Sequence, residues 1–333
     1  MMPTAAFSPR EEARPPWHRA LVTGGAGFLG SHLCTRLLDS GVEVDCLDNL
    51  STGRAEKVAH LAGRPGFRFL ERDVSGEGCA ELLTGPYDLV LHLAGPGASP
   101  ASWSERSVEI LDTGSLGTRA ALAVAERDGA RFLLASSPPV SAGDGADPVG
   151  PHTVRAEAVR FSEALVAAHA AAHGSNAGIV RLFTGYGPGM RTDDGDTPGA
   201  FLEQALAGRP VTVTGDGGRT RPLCYVDDMV DGVLLVAAGR SVRPVDIGGD
   251  EEPTEAEIAR RVIELTGSGS PLVFVEGTVP DESRPVTGFA REIFGWLPGV
   301  TWQEGLERTV ASLAERPDPV PAAPAGRTGE WWA

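Results

Sequence analysis

The glycine-rich segment at residues 21–30 constrains the fold more than any other part of the chain. It reads Leu-Val-Thr-Gly-Gly-Ala-Gly-Phe-Leu-Gly and places Gly24, Gly27 and Gly30 between an apolar run and an amphipathic one. Gly24 permits a tight turn after a strand, Gly27 lets the backbone approach a pyrophosphate, and Gly30 lets a helix pack on that strand. The N-terminus of that helix offers free N–H groups and a positive partial charge to phosphates. The segment therefore predicts a strand–turn–helix unit that binds a dinucleotide.

Further cofactor contacts are expected after the next strands. Asp48 ends the second predicted strand, at the distance where an acidic side chain accepts hydrogen bonds from the adenosine ribose. Its charge repels the extra phosphate of NADPH and favours NADH, whereas Arg54 offsets that charge and permits NADPH. Asp73 and Val74 follow the third strand, where they are expected to contact adenine. The predicted NAD(P)H contacts are Gly24, Gly27, Phe28, Leu29, Gly30, Asp48, Asn49, Ser51, Arg54, Asp73, Val74, Leu93, Ala94 and Gly95.

Short apolar runs alternate with helical patterns, which is typical of an α/β fold with a doubly wound parallel sheet of the Rossmann type. The predicted strands are residues 19–23, 42–47, 67–71, 89–93, 132–135 and 178–183. Residues 18–183 are thus expected to form the dinucleotide-binding domain and residues 184–315 a smaller C-terminal substrate-binding lobe. Residues 1–17 and 316–333 are expected to be a flexible arm and a flexible tail. A ligand cleft is expected between the two parts, at the carboxyl ends of the strands.

Charge and cysteine content exclude several classes of partner. The net charge of −16 argues against binding to nucleic acid or to an anionic membrane surface. The cysteines lack metal-binding spacing, so they are predicted to be buried thiols in a reducing cytoplasm. His169 and His173 are four residues apart on a predicted helix, a spacing that suits a metal. No carboxylate partner is evident in the sequence, so no metal is expected.

The motifs resemble those of the extended short-chain dehydrogenases/reductases, and among them the UDP-glucuronate decarboxylases and the NAD-dependent epimerase/dehydratase group. The resemblance runs from Ala20 to about Ala314 and implies a Rossmann domain with a nicotinamide cofactor. The segments that carry it are residues 21–33, 48–54, 132–137, 181–190 and 214–221.

The catalytic pair of that family is missing. The family activates a tyrosine with a lysine four residues later, but Lys57 is the single lysine of this chain and no tyrosine precedes it at that spacing. The resemblance places Arg155 at the tyrosine position and Val159 at the lysine position. Of the family triad only Ser137 remains.

Three side chains are candidates for contact with the reacting substrate oxygen. Ser137 is the first, because it ends a central strand at the position that the family uses. His152 is a loop histidine that could act as an acid near neutral pH. Arg155 could donate a hydrogen bond but could not give up its proton.

The substrate contacts implied by the resemblance are mixed. Thr184 and Ala200 stand where the family has asparagines. Arg221 stands where the family holds the diphosphate of its ligand, and Arg284 lies one position from a second such arginine. The predicted substrate contacts are Ser137, Thr184 and Arg221. This balance leans away from a sugar nucleotide.

The leading functional hypothesis is an atypical NAD(P)H-dependent ketoreductase that acts on an aromatic polyketide of the angucyclinone type, in antibiotic biosynthesis. Cofactor positioning can supply about 7–11 kcal/mol of a barrier, whereas a general acid contributes only about 10²–10⁴-fold. A hydroxyl on a polycyclic aromatic ketone could supply the proton that a tyrosine would otherwise donate. The alternatives are a nucleotide-sugar epimerase, dehydratase or decarboxylase with a replaced acid, and a non-catalytic dinucleotide-binding protein. A homodimer is expected from the resemblance.

Overall fold

A computed structural model describes residues 15–95, 106–138, 153–174, 176–192, 197–277 and 284–314. Its centre is a seven-stranded parallel sheet with the order β10-β6-β5-β4-β1-β2-β3. The strand order reverses between β1 and β4, which is the arrangement of a doubly wound α/β fold. The predicted fold class is therefore confirmed. The strands of this sheet are β1 Arg19–Thr23, β2 Glu43–Asp48, β3 Phe67–Glu71, β4 Leu89–His92, β5 Arg131–Ser136, β6 Ala177–Leu182 and β10 Val245–Ile247.

Helices cover both faces of the sheet and also build the lobe. They are α1 Phe28–Asp39, α2 Cys79–Leu82, α3 Ser107–Asp112, α4 Thr118–Asp128, α5 Val154–His173, α6 Gly199–Leu206, α7 Val226–Ala238, α8 Glu255–Thr266, α9 Gly288–Phe294 and α10 Trp302–Ala314. Two small pairs of parallel strands lie outside the main sheet. They are β7 Gly185–Tyr186 with β9 Cys224–Tyr225, and β8 Val211–Thr214 with β11 Leu272–Val275. No helix of the described residues combines the length and apolar character needed to cross a membrane.

Burial on both faces explains why the central strands are continuously apolar. In β1, Leu21 and Val22 are both fully buried, yet they belong to two different hydrophobic clusters. Successive strand side chains point to opposite faces, so each face needs its own apolar residues. Full burial of such a side chain stabilises the fold by about 1.5–3 kcal/mol. The first predicted strand, residues 19–23, has the same bounds in the structure.

The sheet takes one strand from the segment that the sequence assigns to the lobe. β10 pairs with β6 in parallel, with Val245 opposite Val180. Helix α7 precedes this strand and packs against α1, where Arg36 donates a hydrogen bond of 2.5 Å to Asp231. Trp17, the last residue of the predicted flexible arm, is buried in the core. The boundaries proposed from the sequence stay predictions, but tight packing joins the segments on either side.

The helical segment before β5 contains an irregular turn that positions α5. Residues Thr113–Gly117 form one π-helical turn between α3 and α4. A side chain at Gly114 would lie 2.8 Å from the Cβ of Ala158, so glycine permits close approach of α5. This contact sets α5 beside the carboxyl end of β5.

Candidate active site

The glycine turn after β1 leaves no room for side chains. Gly24 has φ of +71°, and a Cβ on it would lie 2.7 Å from the backbone nitrogen of Ala94. A Cβ on Gly30 would lie 2.2 Å from the carbonyl oxygen of Gly24. The backbone can therefore face a ligand directly, as pyrophosphate binding at a helix N-terminus requires. These residues fit the phosphates of a dinucleotide.

A cleft of about 230 Å³ opens beside this turn at the carboxyl end of the sheet. The structure brings nine of the predicted site residues together there. They are Gly24, Gly27, Phe28, Leu29, Gly30, Leu93, Ala94, Gly95 and Ser137. The sequence prediction missed six other lining residues, which are Gly114, Leu134, Ala135, Ser136, Ser162 and Leu182. Val159, which stands at the position of the family lysine, also lines the cleft.

Asp48 is fixed at the end of β2, next to the glycine turn. One carboxylate oxygen accepts a hydrogen bond of 3.0 Å from the N–H of Ala26, and the other accepts one of 2.8 Å from the N–H of Leu50. Burial raises the pKa of the Asp48 carboxyl, although both N–H groups oppose this rise. Its contact with the adenosine ribose stays a prediction.

Asn49 and Asp73 form a hydrogen-bonded pair after strands β2 and β3. The amide of Asn49 donates a hydrogen bond of 2.8 Å to Asp73. The other Asp73 oxygen accepts hydrogen bonds from the backbone and the hydroxyl of Ser75. Burial opposes the charge on Asp73, but the hydrogen bonds from Ser75 and Asn49 outweigh it and lower the pKa of this carboxyl. The adenine contact at Asp73 stays a prediction.

The other predicted cofactor residues are Ser51, Arg54 and Val74. The carbonyl of Ser51 accepts a hydrogen bond of 3.0 Å from Arg106, and the N–H of Arg54 donates one of 3.0 Å to Ala26. Val74 is buried, so its side chain belongs to the core. Val74 could therefore contact a ligand only through its backbone.

Two of the three candidates for the reacting centre meet in the structure. Ser137 directly follows β5, and Arg155 stands in the first turn of α5. Nη2 of Arg155 donates a hydrogen bond of 2.8 Å to Oγ of Ser137. Val159 lies one helical turn further and lines the cleft. His152 falls outside the described residues.

A carboxylate that the sequence prediction missed lies behind this pair. Glu163 accepts hydrogen bonds from Oγ of Ser136 at 2.6 Å and from both Nε and Nη2 of Arg181 at 2.8 and 2.7 Å. Burial favours its neutral form, but the hydrogen bonds from Arg181 and Ser136 outweigh burial and lower the pKa of Glu163. Arg155, Val159 and Glu163 are spaced four residues apart, so helical periodicity could have revealed a common face.

We expect Glu163→Gln to lower the free energy of unfolding at neutral pH by about 1–3 kcal/mol, because it removes a charged hydrogen-bond acceptor. A lowered native pKa stabilises the fold above the ordinary glutamate value of about 4.3, and this contribution disappears as the pH falls through the native pKa. The difference between wild type and variant should therefore shrink in acid. Urea unfolding at pH 7 and at pH 3.5 measures it.

Glu157→Gln is the matched control, since Glu157 lies on the same helix in an exposed ion pair with Arg160. That control should change stability by less than about 0.5 kcal/mol. An equal loss in both variants, or a loss independent of pH, would contradict the role assigned to Glu163.

The predicted substrate contacts other than Ser137 belong to the C-terminal lobe. Nε of Arg221 donates a hydrogen bond of 2.8 Å to Glu255, and both side chains are largely buried. Nη1 of Arg219 lies 3.7 Å from the same carboxylate. The carbonyl of Thr184 accepts a hydrogen bond from Cys224, whereas Arg284 is exposed and pairs with Glu252 at 3.2 Å. Two guanidinium groups thus lie beside one buried carboxylate.

His92 in β4 is buried between two threonine hydroxyls. Its Nδ1 lies 2.7 Å from the hydroxyl of Thr23, and its Nε2 lies 3.2 Å from the hydroxyl of Thr118. Burial lowers the pKa of His92 to about 4, so the ring is neutral at physiological pH.

The doubly wound sheet, the glycine turn at the switch point and the carboxylate after β2 together define a dinucleotide-binding protein. The model of the NAD dependent epimerase/dehydratase family matches residues 20–248. The chain belongs to that family.

The relatives specify the family further. UDP-glucuronic acid decarboxylase 3 of Arabidopsis thaliana is 37% identical over 306 residues, which cover 87% of each chain. UDP-glucuronic acid decarboxylase 1 of Xenopus tropicalis is 35% identical over 306 residues, covering 88% of this chain and 71% of that protein. Among solved structures, the UDP-glucuronic acid 4-epimerase of Bacillus cereus, in complex with UDP-glucuronic acid and NAD, superposes with a TM-score of 0.77 at 25% identity. That match covers 89% of this chain and 99% of the other.

These relatives overturn the leading functional hypothesis from the sequence. The prediction of a ketoreductase that acts on aromatic polyketides is wrong, because the similar proteins are UDP-glucuronic acid decarboxylases and nucleotide-sugar epimerases. Thr184 and Ala200 are local differences, whereas the similarity extends over nearly nine-tenths of the chain. The alternative reading, an enzyme of the nucleotide-sugar class, is the better supported one.

Proposed function

We propose that this chain is an NAD-dependent enzyme that acts on a UDP-linked sugar, with Arg155 and Ser137 in place of the tyrosine acid. The observation that carries the proposal is the 2.8 Å hydrogen bond between these two side chains beside the cofactor cleft. The substrate class is taken from the relatives, which act on or bind UDP-glucuronic acid.

The hydrogen bond gives Ser137 a defined direction. Its oxygen accepts from Arg155, so its own hydrogen remains available to donate to a sugar oxygen. Arg155 adds a permanent positive charge that stabilises negative charge developing on that oxygen. Bound NAD would supply the hydride chemistry at the sugar carbon.

The pair cannot do everything that a tyrosine and a lysine do. A guanidinium does not release its proton in a protein, so Arg155 holds an oxyanion but does not remove a proton. Val159 is apolar and cannot hydrogen-bond a ribose hydroxyl. The sugar hydroxyl therefore exchanges its proton with water, and we expect turnover slower by about 10²–10⁴-fold than with a positioned general base.

Arg221 is the proposed contact for the diphosphate. Its Nε donates to Glu255, which holds the guanidinium in place, and a guanidinium suits the two-pronged contact that phosphates favour. Arg219 adds a second positive charge at the same carboxylate. Arg284 and Thr184 are further proposed contacts of the lobe.

The test is a turnover screen of the NAD-loaded protein with UDP-glucuronic acid, UDP-glucose and dTDP-glucose. Mass spectrometry of the sugar nucleotide and absorbance of NADH report conversion. We expect conversion of a UDP sugar, and we expect Ser137→Ala to reduce it. Binding of NAD without conversion of any sugar nucleotide would contradict the proposal and favour a non-catalytic dinucleotide-binding protein.

Asp48 is proposed to set the preference for NADH over NADPH. Asp48→Asn removes the charge that repels the extra phosphate and weakens the ribose contact. A charged hydrogen bond is worth about 1.5–3 kcal/mol, so we expect NADH affinity to fall by about 10- to 100-fold. NADPH affinity should fall less, because the lost repulsion compensates and Arg54 remains. Fluorescence titration of both cofactors measures the ratio.

Asp39→Asn is the control for that experiment, since Asp39 ends α1 in an exposed pair with Arg64. It should leave both affinities unchanged. An Asp48→Asn variant that binds the two cofactors in the wild-type ratio would contradict the assigned role.

A homodimer and a cytoplasmic location stay proposals. Large apolar side chains are exposed on α3, on the π-helical turn and on α5, and Val108, Leu116 and Phe161 are each at least half exposed. A second copy could cover this face. Each of the four cysteines is buried and free, which is compatible with a reducing compartment.

A further inference from the structure

Three potential metal ligands converge at the far end of α5 from Arg155. Nε2 of His169 lies 3.2 Å from Oε2 of Glu126, and Nδ1 of His173 lies 3.7 Å from Oε1 of the same carboxylate. The two imidazole rings are 4.7 Å apart between centroids. One nitrogen or oxygen from each side chain lies within 4.8 Å of the others. No carboxylate partner for these histidines is evident in the sequence, and for that reason no metal was expected. In the structure, Glu126 provides the carboxylate.

The helices bring these groups together for simple geometric reasons. His169 and His173 are one turn apart and share one face of α5. Glu126 comes from the last turn of α4, which packs beside α5. The helices end at Gly129 and Gly174, so the cluster lies at the negative ends of two helix dipoles. A cation is favoured at such a position.

We propose that Glu126, His169 and His173 bind one zinc-class divalent metal ion. Two imidazole nitrogens and one carboxylate oxygen are ligands that Zn²⁺ prefers, and water would complete a four-coordinate site. Ligands at about 2.0–2.1 Å from a tetrahedral Zn²⁺ lie about 3.3 Å apart. The separations of 3.2 and 3.7 Å, which run to different oxygens of Glu126, are near that value, and the three ligand atoms lie within 4.8 Å of one another. Mg²⁺ and Ca²⁺ prefer oxygen ligands, so the histidines disfavour them.

Small side-chain movements suffice to close the site. The side chains of Glu126 and His173 are about half exposed, so they can turn without disturbing the core. His169 is more buried, with 16% of its side chain exposed, and anchors the cluster. The site is therefore partly preformed in the fold.

The metal would act on structure rather than on the reaction. His169 follows Arg155 by fourteen residues, which is about 21 Å along an α-helix. An ion there cannot contact a substrate at Ser137. It would join the ends of α4 and α5, and α5 is the helix that carries Arg155 and Val159. This inference does not depend on the proposed function.

Calorimetric titration of the full chain with ZnCl₂, after treatment with a chelator, tests the site. We expect one Zn²⁺ per chain, and we expect the Tm to rise by about 2–5 °C at a hundredfold excess over Kd. Co²⁺ should give the visible absorption of a tetrahedral ion. Absence of saturable Zn²⁺ binding would overturn the proposal.

Variants identify the ligands. Loss of an outer-shell partner alone costs about 10- to 100-fold in metal affinity, so His169→Gln and Glu126→Gln should each cost at least that. His60→Gln is the control, because His60 pairs with Thr35 elsewhere on the surface. Each variant should keep the parent Tm in chelator, which shows that it folds. Zn²⁺ binding of wild-type strength in both ligand variants would overturn the proposal.

Discussion

Arg155→Gln is expected to lower kcat for sugar-nucleotide conversion by about 10²–10³-fold, the usual cost of losing one donor to a developing oxyanion. The affinity for NAD should stay within about twofold, because the glycine turn and Asp48 are unchanged. The loss should appear in kcat rather than in KM, since the interaction strengthens as charge develops. Initial rates over a range of substrate concentrations measure this separation. The reason is the contact with Ser137, which holds the guanidinium beside the hydroxyl that is proposed to bind the reacting oxygen.

Arg160→Gln is the matched control for this variant. Arg160 lies on the same helix but is exposed and pairs with Glu157, so its loss should leave kcat unchanged. Arg155→Lys should recover part of the rate, because it restores the charge without the planar donor geometry. Full activity in Arg155→Gln would contradict the role of this side chain.

Gly30→Ala is expected to weaken NADH binding by about 10- to 100-fold or more. The added methyl group would lie 2.2 Å from the carbonyl oxygen of Gly24, a backbone atom that cannot rotate away as a flexible side chain would. Overpacking of this kind costs about 1–3 kcal/mol, and the turn that faces the pyrophosphate must shift to relieve it. Fluorescence titration with NADH measures the effect.

Gly269→Ala is the control, because a methyl group at Gly269 meets no atom within 4 Å and its φ is not positive. Its NADH affinity should equal that of the wild type. If Gly30→Ala bound NADH equally well while remaining folded, the glycine turn would not be the cofactor site.

Much of the fold could be predicted because its signals are local. The glycine spacing, the apolar runs and the helical periodicity each lie within one element, and the strand predicted at residues 19–23 has those bounds in the structure. The seventh strand is the exception. β10 is three residues long, and its partner β6 lies more than sixty residues earlier, so no local pattern places it in the main sheet.

The site could likewise be predicted only where its signals are local. The turn residues follow from spacing, whereas the Arg155–Ser137 contact joins residues eighteen apart across a segment outside the described residues. Glu163 was missed because a glutamate on a helix is ordinarily solvated, and only packing brings Arg181 and Ser136 to it. Glu126 contacts His169 across 43 residues of sequence.

The substrate class illustrates a different difficulty. Thr184 and Ala200 indicate a lost sugar nucleotide when each position is weighed separately, but Arg221 keeps a fixed guanidinium on the lobe. Single positions of one sequence do not reveal how many contacts a ligand needs. Similarity over 306 residues integrates many positions and favours the nucleotide-sugar class.

We propose that this NAD-binding chain, which lacks the tyrosine and lysine pair, still binds a UDP sugar. Calorimetric titration of the NAD-saturated protein with UDP-glucuronic acid tests it most directly. We predict saturable binding that Arg221→Gln weakens by at least about tenfold, since a charged hydrogen bond is worth about 1.5–3 kcal/mol. Intact NAD binding without any binding of UDP-glucuronic acid or UDP would contradict the claim.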